Sequence, residues 1–242
     1  MTGTLYAIGI GPGDPELMTL KAVRILGQVG AICVPKGKEE GASLALSIVR
    51  KAVSIEGKEV VEAFFPMKTN DRAANGRDLD ARWGETVAAL LGRLDKGVDM
   101  AFITIGDPTV YSTFFYLYDR LLDARPGLRI EIVPGVSSIN AAASRARISL
   151  ALGEEKVAIM PATNLDGLDA VLAQFDTVVL MKVYKVIDRI VATLAERGLL
   201  GQSVYVSRAG MADEFVCTDL AGLKVGDLDY FSLVIVKNRK GA

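Results

Sequence analysis

The stretch Met100-Ala101-Phe102-Ile103-Thr104-Ile105-Gly106-Asp107-Pro108-Thr109-Val110-Tyr111-Ser112-Thr113 decides the fold. Its first six residues form a short apolar run that Gly-Asp-Pro brings to a stop, the mark of a buried strand entering a loop. Phe114–Leu122 follows with helical periodicity, so the unit is strand, loop, helix. Upstream the unit recurs. Thr4–Ile10 reads as a strand and Pro15–Gly27 as a helix with Leu17, Leu20, Val23 and Leu26 near one face. Ala31–Val34 and Val60–Phe65 read as strands, and Ala42–Val53 and Trp83–Lys96 as helices. Downstream, Leu128–Val133 is a strand that runs through a turn into the helix Ala141–Arg147. Strands alternating with helices predict a parallel α/β sheet.

Beyond Arg147 the rhythm changes. Lys156–Met160, Thr177–Met181, Ser203–Ser207, Glu214–Cys217 and Phe231–Val236 read as strands, with only Leu168–Gln174 and Val186–Arg197 as helices between them. Some of these strands must pair through short connections, which predicts a mixed sheet. Two α/β domains follow, 1–148 and 149–242. The polar stretch Lys68–Asp80 has the composition of a surface loop or flexible lid.

Composition narrows the chemistry. The chain has 242 residues, half of them hydrophobic, and 28 basic against 29 acidic residues give a net charge of −1. No basic excess marks a nucleic-acid binder. The two cysteines, Cys33 and Cys217, lie in apolar strand-like runs and are too few for a disulfide framework or a four-thiolate zinc site, so buried free thiols are expected. The absence of histidine removes Ser-His and Cys-His catalysis and histidine metal sites. No metal site is expected. The first residues lack a leader pattern and no apolar run approaches the roughly 20 residues of a membrane span, so a cytoplasmic protein off the membrane is expected.

Three turns at strand ends carry the functional signal. Gly9-Ile10-Gly11-Pro12-Gly13-Asp14 invites a dinucleotide-binding reading, but Asp14 stands where that fingerprint needs glycine or a small residue. Pro12 lacks an amide donor and Asp14 adds negative charge, both unfavourable to phosphate. A tight turn capped by Asp14 accounts for the local geometry. The three glycines point further, to a ligand pressed against the backbone. The Gly106–Thr113 loop, with Ser112 placed to cap the next helix, and Val133-Pro134-Gly135-Val136-Ser137-Ser138-Ile139-Asn140 are the other two turns. In open parallel sheets ligands bind beyond the carboxyl ends of the strands, so the three form one ligand-facing edge.

These three segments, in this order, together with Val179-Leu180-Met181-Lys182, Ser207-Arg208-Ala209-Gly210 and Tyr230-Phe231-Ser232-Leu233-Val234, resemble the tetrapyrrole methylases of the cobalamin pathway over essentially the whole chain. Gly106–Tyr116 with Ser137-Ser138-Ile139-Asn140-Ala141-Ala142 most resembles the branch that methylates C20 of precorrin-2 or cobalt-factor II. The resemblance implies two α/β domains with the active site in the cleft between them, S-adenosylmethionine as methyl donor, an anionic tetrapyrrole substrate and a homodimer. It implies that Pro12, Gly106, Asp107, Pro108, Val110, Ser137 and Ser138 hold the cofactor, with Met181, Ala209 and Leu233 from the second domain. For the substrate, Tyr111, Ser112 and Thr113 are candidates, as are the cations Lys36, Arg72 and Lys182, with Lys68, Arg77, Arg145 and Arg208 as further basic residues. Asp107, Tyr111 and Asp14 are the candidate bases. The same resemblance leaves open a methylase of another ring position, or of RNA or protein.

Overall fold

The computed structural model describes residues 2–36, 43–64 and 75–238. The chain forms two compact units, Met1–Ser137 and Ser138–Ala242.

In the first unit the elements run β1 (Leu5–Gly9), α1 (Leu20–Gln28), β2 (Ala31–Lys36), α2 (Leu44–Ala52), β3 (Glu59–Phe64), α3 (Asn75–Leu94), β4 (Met100–Thr104), α4 (Phe114–Ala124) and β5 (Ile130–Val133). The sheet order is β3-β2-β4-β1-β5 and every pairing is parallel. Alternate strand residues serve opposite faces, as the pleat requires. Leu5, Ala7, Met100 and Phe102 pack with Leu90 and Leu94 of α3 and Phe114, Leu117 and Leu121 of α4. Ile8, Ile32, Ala101 and Ile103 pack with Ile25 and Leu26 of α1 and Ile48 and Val49 of α2. The register sets Gly9 against Thr104 and Ile8 against Val133, so β4, β1 and β5 end side by side.

The second unit holds α5 (Ser138–Arg145), β6 (Val157–Pro161), α6 (Leu168–Gln174), β7 (Thr177–Met181), α7 (Ile187–Glu196), β8 (Ser203–Ser207), β9 (Phe215–Cys217) and β10 (Ser232–Lys237). Its order is β6-β7-β10-β8-β9, with β6 parallel to β7 and the other pairs antiparallel, a mixed sheet. Val178, Leu180, Tyr205, Val234 and Val236 on one face bury Leu172, Ile190 and Leu194 of α6 and α7. The compact units divide at Ser137, whereas the change of sequence rhythm near residue 148 follows α5. α5 continues the strand-turn-helix pattern of the first unit in sequence but lies against β10.

Two expectations need correction. Pro15–Gly27 is not one helix: a single 3-10 turn, Pro15–Leu17, stops at Met18, and Thr19 starts α1 by accepting a hydrogen bond from the Ala22 amide at 3.1 Å. The buried face of α1 is therefore Ala22, Ile25 and Leu26, and Leu20 is 89% exposed. The loop expected over Lys68–Asp80 is helical in its second part, because α3 begins at Asn75. Residues 68–74 lie outside the described residues. Asp80 Oδ1 pairs with Arg120 Nη2 of α4 at 2.6 Å, a surface pair beside the buried side of α3. Among the described residues no helix is long and apolar enough to cross a membrane.

Candidate functional site

The loops after β1, β4 and β5 meet at the carboxyl edge of the first sheet. The Gly106 amide donates to the Gly11 carbonyl at 2.7 Å, and the Ile10 amide donates to the Thr104 carbonyl at 3.0 Å, so the β1–β4 pairing continues past the strands into their loops. A Cβ added at Gly9 would lie 2.7 Å from both Gly106 O and Gly135 N. One added at Gly135 would run into Gly106 O and come within 2.8 Å of Gly9 Cα. Gly11, at φ +78°, sits in the left-handed region with the Leu17 carbonyl beneath it. Backbone packed on backbone thus accounts for Gly9, Gly11 and Gly135 at this edge.

Asp107 holds the edge together. Its Oδ2 accepts from the Gly135 amide at 2.9 Å, and its Oδ1 accepts from the Thr109 amide at 2.8 Å and from the Thr109 hydroxyl. Partial burial pushes the carboxyl up, but the Thr109 hydroxyl and the two amides together pull it below the ordinary aspartate value. A carboxylate with both oxygens occupied and a depressed pKa is a poor proton acceptor. Its role in this geometry is to position the β4 and β5 loops. Thr109 was missed from the sequence, although Asp107-Pro108-Thr109 has the spacing of an Asx-turn.

Pro12, Gly106 and Pro108 are buried, while Val110 and Ser137 are half-buried. Tyr111 is 45% exposed and takes φ +50°, a left-handed conformation that is uncommon for a bulky side chain. Burial of part of its ring raises the phenol pKa. Ser112 pins the backbone just after it: its hydroxyl donates to Thr104 Oγ1 at 3.3 Å and accepts from the Phe114 amide at 3.1 Å. The N-cap of α4 is Thr113, whose side chain makes no cap bond, so the cap expected at Ser112 is instead a turn bond one residue before the helix. Thr113 is exposed at the start of α4. Asp14 accepts from the Glu16 amide at 2.9 Å and caps the 3-10 turn. Lys36 forms an ion pair with Glu62 at 3.0 Å, a pairing between neighbouring strands β2 and β3. Arg72 and Lys68 lie outside the described residues, as does the side chain of Arg77.

In the second unit, Met181 pairs with Leu233 across β7 and β10, and Leu233 pairs with Val206 across β10 and β8. Met181, Leu233 and Ala209 are therefore brought to one edge of this sheet. Lys182 and Arg208, each the first residue past a strand, take φ +61° and +53° and turn the chain out of the sheet. Ser138 opens α5. Two of the further basic residues are already matched: Arg145 Nε lies 3.0 Å from Glu214 Oε1, and Arg208 lies between Asp213 and Asp229. Among the described residues no group of three histidine, cysteine, aspartate or glutamate side chains is placed to hold a metal ion.

Comparison with known proteins gives this geometry a context. The sequence profile of the Tetrapyrrole (Corrin/Porphyrin) Methylases matches residues 4–223. The chain is 39% identical to the cobalt-precorrin-2 C(20)-methyltransferase of Salmonella typhimurium, covering 99% of this chain and 98% of that protein. It is 30% identical to the precorrin-2 C(20)-methyltransferase of a Sinorhizobium species, over 98% of this chain and 96% of that one. The fold is similar to that of a cobalt precorrin-4 methyltransferase, with a TM-score of 0.74 at 23% identity over 96% of this chain and 94% of the other.

Proposed function

Because the chain belongs to the tetrapyrrole (corrin/porphyrin) methylase family, we propose that it transfers the methyl group of S-adenosylmethionine to C20 of precorrin-2 or cobalt-factor II. The observation that carries the ring position is the near full-length similarity to two proteins that both bear C20 in their names, one with and one without cobalt in its substrate.

The residues present fit a cationic, phosphate-free nucleoside. Pro12 withholds an amide from the β1 turn, and Asp107 keeps a negative charge on the β4 loop, so a pyrophosphate is disfavoured and a sulfonium or ammonium is favoured. To this cofactor we assign Pro12, Gly106, Asp107, Pro108, Val110, Ser137, Ser138, Met181, Ala209 and Leu233.

The sulfonium supplies an already activated methyl group, so the chain's work is positioning. Holding donor and acceptor carbons close and in line contributes at most about 7–11 kcal/mol. Asp107 fixes the loops that present their backbone to the donor, and Tyr111, Ser112 and Thr113 on the next turn orient the ring, with Lys36, Arg72 and Lys182 as the proposed partners of its carboxylates. Several carbons of a reduced tetrapyrrole are nucleophilic, so selection of C20 is set by where the ring is held. We place this activity in the cytoplasm, in a homodimer; a monomer mass by light scattering across micromolar concentrations overturns the dimer.

Incubation with carbon-13-labelled donor and either metal-free or cobalt-loaded substrate, followed by NMR of the product, tests the reaction. A single label at C20 is expected. A label at another ring carbon overturns the C20 position and leaves the methylase reading standing, whereas no transfer to any tetrapyrrole overturns both.

A further inference from the structure

The second unit contains a guanidinium that the reaction above does not use. Arg208 follows β8 directly, where a cation would suit a substrate carboxylate, yet it is engaged within the protein. Its Nε lies 2.6 Å from Asp213 Oδ1 and its Nη1 3.3 Å from Asp229 Oδ2. Its backbone amide donates to the Phe231 carbonyl at 2.7 Å, while Asp229 Oδ1 accepts from the Phe231 amide at 2.7 Å. The Asp229 carbonyl accepts in turn from the Ser232 hydroxyl at 2.5 Å. One residue therefore joins the loop leaving β8 to the turn entering β10, through both its main chain and its side chain.

What lies beside these joints gives them meaning. Ala209 is the next residue after Arg208, and Leu233 is the next after Ser232; both are buried. The far end of the β8 loop is anchored separately, because Glu214 accepts from the Gly210 amide at 2.6 Å and pairs with Arg145. Arg208 also keeps a left-handed backbone, a conformation that persists only where surrounding bonds enforce it. Without the cation, two carboxylates on facing segments would repel each other where Ala209 and Leu233 need fixed backbones.

Resting on the cofactor reading of Ala209 and Leu233, we infer that Arg208 is a positioning residue: by bridging Asp213 and Asp229 it fixes the two strand ends that hold S-adenosylmethionine, and it does not bind the tetrapyrrole. Replacing it should weaken cofactor binding and leave the tetrapyrrole KM unchanged.

Calorimetry with S-adenosylhomocysteine on the full chain tests this, alongside thermal melting and the tetrapyrrole KM. Arg208→Gln should weaken binding about five- to thirtyfold, the loss of one charge-assisted bridge. Arg208→Lys, which keeps a charge without the two-armed reach, should recover part of it. If Arg208→Gln does not fold, Asp229→Asn serves instead, since its side-chain carbonyl still accepts from Phe231, and it should weaken binding in the same direction. Variants that melt earlier yet bind S-adenosylhomocysteine as the wild type does would overturn the inference, as would a raised tetrapyrrole KM with unchanged cofactor affinity. Failure of the wild-type chain itself to bind S-adenosylhomocysteine would instead overturn the cofactor reading beneath it.

Discussion

Asp107 Oδ2 and the Gly135 amide, 28 residues apart in sequence, are 2.9 Å apart in the fold. This bond closes the carboxyl edge of the first sheet, since β4 and β5 both flank β1 and their loops would otherwise leave it independently. The aspartate serves the strand ends first and any ligand through them.

Removal of that carboxylate has a defined cost. Asp107→Ala leaves the Thr109 and Gly135 amides without their acceptor and should destabilise the first unit by about 1–3 kcal/mol. The pH dependence follows from the depressed carboxyl. A group whose pKa is lower in the fold than in the unfolded chain stabilises above the unfolded value, near 3.8, and loses that contribution as pH falls through the folded value. Melting curves of the wild type should therefore lose stability below about pH 4, and Asp107→Ala should lack that part of the loss. Parallel acid profiles in the two proteins would refute the role.

Glycines on this edge and on the helices should respond oppositely to a methyl group. Gly135→Ala drives a Cβ into the Gly106 carbonyl and the Gly9 backbone, neither of which can yield cheaply. A loss of about 2 kcal/mol or more is expected, in the range of overpacked cores. Gly92 sits inside α3 with nothing within 4 Å of an added Cβ. Gly92→Ala should stabilise by about 0.5–1 kcal/mol. Urea denaturation of both variants checks the contrast, and equal effects would mean that the edge is looser than its distances.

The strands of this fold were legible because burial wrote them as short apolar runs. Thr177–Met181 and Ser203–Ser207 stand where their sequences place them. Pro15–Gly27 was not, because its apolar residues keep helical spacing across the break at Thr19, and only the threonine cap, which periodicity does not register, marks a second start. Asn75–Asp80 read as loop because its residues are mostly polar, and a turn whose one large apolar residue is Leu79 carries no hydrophobic period. At the site, the three turns could be read as strand ends, and their adjacency came from the crossover that sets β4 beside β1. Nothing in the sequence showed that Arg145 was already paired, since its partner Glu214 lies 69 residues away, or that Arg208 reaches Asp229 across 21 residues as well as the nearby Asp213.

The two thiols should separate cleanly by reactivity. Burial pushes the Cys33 thiol up to about 12, against a smaller opposing pull from Arg93. Cys217 is only partly buried, with its Sγ 3.2 Å from the Asp219 carbonyl. Iodoacetamide at pH 8 should label Cys217 in the native chain and Cys33 only after denaturation, read by peptide mass. Because the folded Cys33 pKa is raised, its contribution to stability is complete below the unfolded thiol value of about 8.5 and declines as pH climbs from there. Cys33→Ala should soften that alkaline decline. Rapid native labelling of Cys33 would contradict its burial in β2.

Tyr111 should show stability and activity moving in opposite directions. Its backbone is left-handed at φ +50°, which costs a non-glycine residue about 1–2 kcal/mol, and the residue is 45% exposed. Ser112, bonded to Thr104 and to the Phe114 amide, holds the strained turn in place from one side. Strain kept at an exposed aromatic beside the proposed methyl-transfer site is what a ring-orienting role requires. Tyr111→Gly removes the strain and the ring together, and should raise the melting temperature while raising the tetrapyrrole KM. Tyr111→Phe separates the phenol from the ring: it keeps the strain, so it should lack the gain in melting temperature, and its KM reports what the hydroxyl adds. If Tyr111→Gly is both less stable and as tight for the tetrapyrrole, the residue is a packing element of the β4 turn and takes no part in orienting the ring.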